Sequence, residues 1–172
     1  MAQTNIFKID THSPEETQNI GRFLGASTDP GDVFALLGPL GSGKTCLTQG
    51  IAWGLGVKEH ARSPTFVLAT QYHGRLNLYH IDLYRLDSPE ATDELGLDEY
   101  LYGDGVCVVE WAEKAPDIYP DPHMTIKIES LDSTTRRLTL TAKGEHYSQI
   151  MNALKADIGK SASSSRTNTM ES

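Results

Sequence analysis

The chain has 172 residues, 22% of them charged and 38% hydrophobic, with a formal net charge of -8. These values fit one compact domain with its own core, and the lack of any run of about 18 apolar residues excludes a membrane-spanning helix. Acidic residues outnumber basic ones 23 to 15 and no basic cluster exceeds Arg136-Arg137, which disfavours unaided binding to tRNA or DNA.

The N-terminus, MAQTNIFKID, has neither the basic start nor the apolar stretch of a secretory signal. Ser13-Pro14-Glu15-Glu16 predicts a helix start: Ser13 caps, Pro14 takes the first helical position, and Glu16 completes a capping box. Thr17, Ile20, Phe23 and Leu24 follow at helical spacing. Val33 to Leu37 is a short apolar run that predicts a strand buried on both faces. Glycines come next, then a helix from about Gly43 to Leu55 that stops near Gly56. Thr65 to Tyr72 and Leu76 to Ile81 read as strands around a turn at His73-Gly74. A helical stretch after Ser88 carries Leu95, Leu97, Tyr100 and Leu101. Val106 to Val109 reads as a second buried strand ending at Glu110, and Met124 to Ile128 and Arg137 to Ala142 as late antiparallel strands. A last helix is expected from about Glu145 to Ala156.

From Gly159 the chain is rich in Ser and Thr and nearly free of apolar residues. This predicts one domain over residues 1–157 and a disordered tail over 158–172. The mixture of βαβ units and hairpins predicts an α/β fold with a sheet of mixed parallel and antiparallel strands. Cys46 and Cys107 are isolated, with no CxxC pair and no metal-ligand spacing, so a reducing cytoplasm is the expected compartment.

Gly38-Pro39-Leu40-Gly41-Ser42-Gly43-Lys44-Thr45 matches GxxxxGK[ST] at every fixed position. Glycines let the backbone wrap close to phosphate with its N–H groups pointing inward. The following helix presents its positive end to the same phosphates. Lys44 can reach the β- and γ-phosphates and the Thr45 hydroxyl can ligate magnesium. The strand before the loop and the helix after it form the context that the motif requires. ATP with Mg2+ is the expected ligand, bound by Gly38, Gly41, Ser42, Gly43, Lys44, Thr45 and Cys46.

Such a site needs a carboxylate near the metal, usually at the end of a neighbouring buried strand. Glu110, after Val106-Cys107-Val108-Val109, has that form. Asp82 competes: His80, Asp82 and Tyr84 alternate with apolar residues and so share one strand face, which is either functional or simply solvated. Both acids can serve, one on the metal and one positioning water or holding the metal's water shell. Ser63-Pro64-Thr65-Phe66 supplies hydroxyls in a stiffened loop after the P-loop helix. Arg62 and Arg85 are candidates to stabilise phosphoryl charge. Trp111 reads as core or rim packing, and His123 and His146 receive no role. Asp93 to Gly96 matches DxxG, but no NKxD follows, so guanine specificity is unsupported.

Together, GPLGSGKT at Gly38, SPTF at Ser63, YHIDLYRL from Tyr79 and VVEWAEK from Val108 resemble one family, the bacterial tRNA threonylcarbamoyladenosine biosynthesis ATPase TsaE (YjeE), over about residues 10–142. The resemblance implies a three-layer α/β domain of the P-loop NTPase type with a mixed parallel and antiparallel sheet. It also implies an accessory ATPase that works with the TsaD and TsaB subunits, which install threonylcarbamoyl on adenosine 37 of tRNA, and supports their turnover without transferring the group itself. It implies that Lys44 and residues 41–46 bind phosphates and that Thr45 and Glu110 hold magnesium. Asp82 becomes a catalytic or metal-shell acid, residues 63–66 a switch-like loop, and the segment around Ser13 and Thr17 a border of the adenine site. No strong direct tRNA binding is implied. The chain departs from the family's usual residues at Pro39 (Asp), Ser42 (Ala), Cys46 (Thr) and Val67 (Thr); Pro39 removes a carboxylate and an N–H from the loop. Two other functions stay open on the residues alone. One is a small-molecule or nucleotide kinase, for which Arg62, Arg75 and Arg85 would have to build a lid. The other is a nucleotide-gated binding module, if Asp82 and Glu110 both lie off the metal.

Overall fold

The computed structural model of the chain describes residues 3–62 and 69–168. Its elements run β1 (Thr4–Thr11), α1 (Pro14–Ala26), β2 (Val33–Leu37), α2 (Lys44–Gly54), β3 (Ala69–His73), β4 (Asn77–Asp82), α3 (Asp98–Leu101), β5 (Val106–Glu110), β6 (Met124–Ser130), β7 (Arg136–Lys143) and α4 (Glu145–Asn168). Short 3-10 turns cover Pro89–Leu95 and Ala112–Lys114. The seven strands form one sheet in the order β1-β7-β6-β2-β5-β4-β3. Its centre is parallel, β6-β2-β5-β4, and both flanks are antiparallel hairpins. The mixed α/β sheet expected from the sequence is therefore present.

Strand alternation sorts the core into two clusters. Val106 and Val108 of β5 join Leu78, Phe34 and Leu36 beneath α1, α2 and α4, where Ile20, Leu24, Leu47, Ile51, Met151 and Leu154 are buried. Cys107 and Val109 point the other way, to Val33, Ile81 and Leu83 under Leu97, which precedes α3, and Leu101 at its end. Layers thus cover both faces of β5, and all five of its residues are buried. This explains why β2 and β5 read as continuous apolar runs. Among the described residues no helix is long and apolar enough to cross a membrane.

Several elements differ from the sequence expectation. β1 was not foreseen: its hydrophobic signal is weak because Ile6 faces out at 61% exposure while Phe7 and Ile9 pack only partly. The stretch after Ser88 is not one helix, because Gly96 takes a left-handed φ of 65° and separates the 3-10 turn from α3. The last helix continues through Asn168, so the expected boundary at residue 157 falls inside α4. Extending an existing helix needs no new nucleus, which lets a Ser-rich segment follow it. α4 is tied to the sheet where His146 Nε2 meets Asp32 at 2.8 Å and the Val33 N–H donates to the Tyr147 hydroxyl at 3.0 Å. The predicted strand start at 65–68 lies outside the described residues.

α1 and α2 approach through four glycines, two on each helix at a spacing of four. A Cβ on Gly21 would lie 2.5 Å from the Leu47 carbonyl oxygen, and one on Gly25 2.2 Å from that of Ile51. On α2, a Cβ on Gly50 would stand 2.2 Å from the Gln18 oxygen and one on Gly54 2.2 Å from the Arg22 oxygen. The obstructing atoms are backbone, so a side-chain rotation cannot relieve them. Helix-interior glycine costs about 1 kcal/mol relative to alanine, and close helix packing offsets that cost here. Gly50→Ala is expected to lower unfolding stability by about 1–3 kcal/mol through overpacking. Gly159→Ala, where an added Cβ meets nothing within 4 Å, is expected to be neutral or slightly stabilising. Urea unfolding of both variants checks the pair, and equal stabilities would contradict the packing argument.

Candidate functional site

The loop 38–43 joins the C-terminal end of β2 to α2, at the edge where the parallel strands β2, β4 and β5 all end. Its glycines serve different needs. Gly38 lies so close to its neighbours that a Cβ would come within 2.6 Å of both the Ile128 carbonyl oxygen and Ser42 Oγ. Gly41 and Gly43 have open space, but φ values of 77° and 110° exclude an unstrained side-chain residue. The Ser42 N–H donates to the Pro39 carbonyl at 3.1 Å, and Ser42 Oγ is buried without a partner among the described residues. Ser42 therefore shapes the loop from beneath. Leu40 stands at the tip, 79% exposed.

Lys44 is only 5% exposed. Its ammonium donates to the carbonyls of Gly38 at 2.5 Å and Pro39 at 2.9 Å, and sits 3.9 Å from the centre of the Trp111 ring. Burial pushes its pKa down, while the charges of Glu110, Glu113 and Asp82 oppose that shift. Trp111 is thus more than packing: it follows Glu110 in a left-handed conformation, φ 58° and ψ 41°, and its ring also meets Tyr84 at 4.9 Å. A non-glycine residue there carries a conformational cost of order 1–3 kcal/mol.

Glu110, 2% exposed, ends β5 and faces α2. The Thr45 hydroxyl donates to its Oε1 at 2.9 Å. Its Oε2 is bonded by His80 Nε2 and lies 3.4 Å from the Thr48 hydroxyl, which donates at 2.9 Å to the Lys44 carbonyl. Asp82 is the register partner of Glu110 on the neighbouring parallel strand. It is half-buried, and its Oδ1 accepts the Tyr84 N–H at 2.9 Å. Burial raises the Asp82 pKa, the Tyr84 N–H lowers it, and the Glu110 charge raises it again. Both candidate acids therefore lie beside the start of α2, at the end of loop 38–43. His80 is wholly buried, so the face it shares with Asp82 is not a solvated one.

Cys46 turns toward the start of α1, where its Sγ donates to the Pro14 carbonyl at 3.4 Å; burial raises its pKa, and Glu15 adds to the rise. Ser13 accepts the Glu16 N–H at 3.2 Å as the helix cap, while Glu16 takes the N–H of His12, one residue before the expected position. The Thr17 hydroxyl is turned inward to Thr11 at 2.7 Å. Ser13 and Cys46 thus lie beside each other at the loop's flank, with Thr17 behind them. Arg75 donates to the Gly25 and Thr28 carbonyls at the end of α1, which commits it to holding that helix. The expected switch loop at Ser63 to Phe66 lies outside the described residues.

The oxygen donors of Thr45, Glu110 and Asp82 suit a hard cation such as Mg2+. Among the described residues no group of three or more His, Cys, Asp or Glu side chains is placed to hold a metal ion. An ion held by these donors would need waters or other oxygens for its remaining ligands.

The raised Asp82 pKa has a consequence for stability. Its folded value lies above the unfolded reference of 3.8, so the folded state holds the proton more tightly. Stability is lost as pH rises through that window. In metal-free buffer Asp82→Asn, which keeps the acceptor for Tyr84, is expected to unfold at higher urea than the unsubstituted chain at pH 7. The advantage should vanish below pH 3.8; an advantage that persists there would contradict the desolvation account.

The family model described as "Threonylcarbamoyl adenosine biosynthesis protein TsaE" matches residues 11–138. The chain is 42% identical over 148 residues to the tRNA threonylcarbamoyladenosine biosynthesis protein TsaE of Bacillus subtilis, covering 86% of this chain and 92% of that protein. It is 42% identical over 130 residues to the protein of the same name from Treponema pallidum, covering 76% of this chain and 96% of that one. Among solved structures, the crystal structure of Bacillus subtilis YdiB superposes with a TM-score of 0.77 at 38% identity, covering 90% of this chain and 97% of that one. The chain therefore belongs to the TsaE family of threonylcarbamoyl adenosine biosynthesis proteins.

Proposed function

We propose that this chain is a cytoplasmic, magnesium-dependent ATPase that serves the threonylcarbamoyladenosine modification of tRNA. In this reading it supports turnover of a transferase built from TsaD and TsaB and does not transfer the group itself. The observation that carries the reading is the Thr45–Glu110 contact, which places a hydroxyl and a buried carboxylate together at the first turn of a GxxxxGKT helix.

In this reading the backbone of residues 41–46 and the N-terminus of α2 receive the phosphates. Lys44 leaves the Gly38 and Pro39 carbonyls to reach the β- and γ-phosphates, exchanging two neutral acceptors for charged ones. Thr45 and Glu110 hold the metal, which supplies charge neutralisation of the transferring phosphoryl group. Asp82 orients the attacking water from the neighbouring strand. Ser13 and Cys46 border the nucleoside. A kinase reading is weaker, because Arg75 is tied to the end of α1 and is unavailable for a lid.

Lys44→Ala is expected to lower ATP turnover on the order of 100-fold or more, as the loss of one preorganised donor does in other sites. Glu110→Gln is expected to shift the magnesium titration to higher concentration with little change in urea stability. An unchanged titration would remove Glu110 from the metal. The decisive experiment is nucleoside mass spectrometry of bulk tRNA from cells depleted of this protein. Threonylcarbamoyladenosine should fall and recover with the wild-type chain but not with Lys44→Ala. An unchanged level of the nucleoside would overturn the tRNA role.

A further inference from the structure

His80 is an unusual residue to place in the middle of β4. It is wholly buried, on the face that carries Leu78 toward the core beneath α1 and α2. Its Nδ1 has no partner among the described residues, and its one polar contact is Nε2 on Glu110 Oε2. A carboxylate only accepts hydrogen bonds, so Nε2 carries the hydrogen and donates. Burying an imidazole with one nitrogen unpaired is unfavourable for folding. An apolar side chain would fill the same space without that penalty.

The contact acts on one defined freedom. Glu110 has three side-chain torsions and extends from the last residue of β5, so its carboxylate plane is not fixed by the strand. Oε1 is engaged by Thr45, the hydroxyl assigned to the metal, and Oε2 by His80. Thr48 is a weaker restraint on Oε2, at 3.4 Å and with its hydroxyl also shared with the Lys44 carbonyl at 2.9 Å. His80 therefore holds the second oxygen from a different strand, two residues before the Asp82–Glu110 register pair. Hydrogen bonds to a ligating carboxylate orient it and commonly change metal affinity about 10–100-fold.

We propose that His80 is a positioning residue: its Nε2–H locks the Glu110 carboxylate so that the oxygen beside Thr45 is presented to the nucleotide's divalent cation. The proposal rests on the metal-nucleotide reading of the site given above. It makes no use of His80 as a ligand, since the ring is out of solvent and its outward nitrogen faces Glu110.

The test compares His80→Gln with His80→Asn in the full chain. Both keep a buried amide, but glutamine carries its N–H at about the reach of Nε2 while asparagine stops one methylene short. The probe is Mn2+ with a non-hydrolysable ATP analogue, read by electron paramagnetic resonance as the protein-dependent loss of free-ion signal beyond that caused by the analogue alone. His80→Asn is expected to weaken Mn2+ binding about 10-fold or more, and His80→Gln to keep most of the wild-type affinity. In a Glu110→Gln background, His80→Asn should produce no further loss, because the carboxylate it positions is gone. Equal Mn2+ affinity in the wild type and His80→Asn would overturn the positioning role, as would equal losses for Asn and Gln or an undiminished loss in the Glu110→Gln background. If the wild-type chain itself takes up no Mn2+ with the analogue, the metal-nucleotide reading falls first, and the proposal with it.

Discussion

Glu110 sits at the end of the central strand with almost no exposure, and a carboxylate in that position is costly unless it is fully bonded. Its bonds come from separate parts of the fold: Thr45 and Thr48 on α2, and His80 on β4. The parallel register of β4 and β5 then sets Asp82 beside it. β5 can bring the carboxylate there only because both faces of the strand are covered. One face packs into the cluster beneath α1, α2 and α4, and the other packs against α3. The Trp111 conformation that follows Glu110 turns the chain sharply out of the sheet and puts the indole under Lys44.

The four-glycine contact between α1 and α2 supports the same site from outside. Because those helices pack backbone to backbone, the N-terminus of α1 is brought against the first turn of α2, where Cys46 reaches the Pro14 carbonyl. A bulkier contact would move Ser13 away from the loop. The loop itself is held closed by its own lysine, whose ammonium occupies the Gly38 and Pro39 carbonyls and the Trp111 ring. Pro39 takes part through its carbonyl alone, which a proline retains, so the absent side-chain carboxylate and N–H do not prevent the loop from closing.

Much of this was legible in the sequence because it rests on local rules. The loop 38–43 between β2 and α2 follows a fixed spacing, the Ser13 cap and Pro14 obey helix-end chemistry, and β2 and β5 show themselves as unbroken apolar runs. Glu110 could be placed because a strand has a definite end. What was not legible depends on cross-chain geometry. Period two put His80 and Asp82 on one face but could not say whether water or Glu110 lay opposite; that is decided by the β4–β5 register. The glycine spacing in α1 and α2 was visible but silent, since hydrophobic periodicity counts side chains and not their absence. β1 was missed because Ile6 breaks the alternation, and α4 overran its expected end because composition does not register the momentum of an established helix. Trp111 packs at the rim of the core as expected, but nothing in VVEWAEK indicates its left-handed backbone or the ammonium on its ring.

The charge balance of the site has a direction. A chain of net charge -8 has no general attraction for a triphosphate, and Glu110 and Asp82 stand close enough to Lys44 to oppose the fall in its pKa that burial causes. On the proposed function, an entering triphosphate would meet one buried ammonium and the positive end of α2 but also two carboxylates. Only a divalent cation reverses the sign of those carboxylates' contribution, turning repulsion of the phosphates into ligation of a shared ion. On that reading the half-buried Asp82 and the desolvated Lys44, each unfavourable by itself, would become favourable together with metal and nucleotide. The sheet register and the glycine contact keep the elements that carry these groups in place.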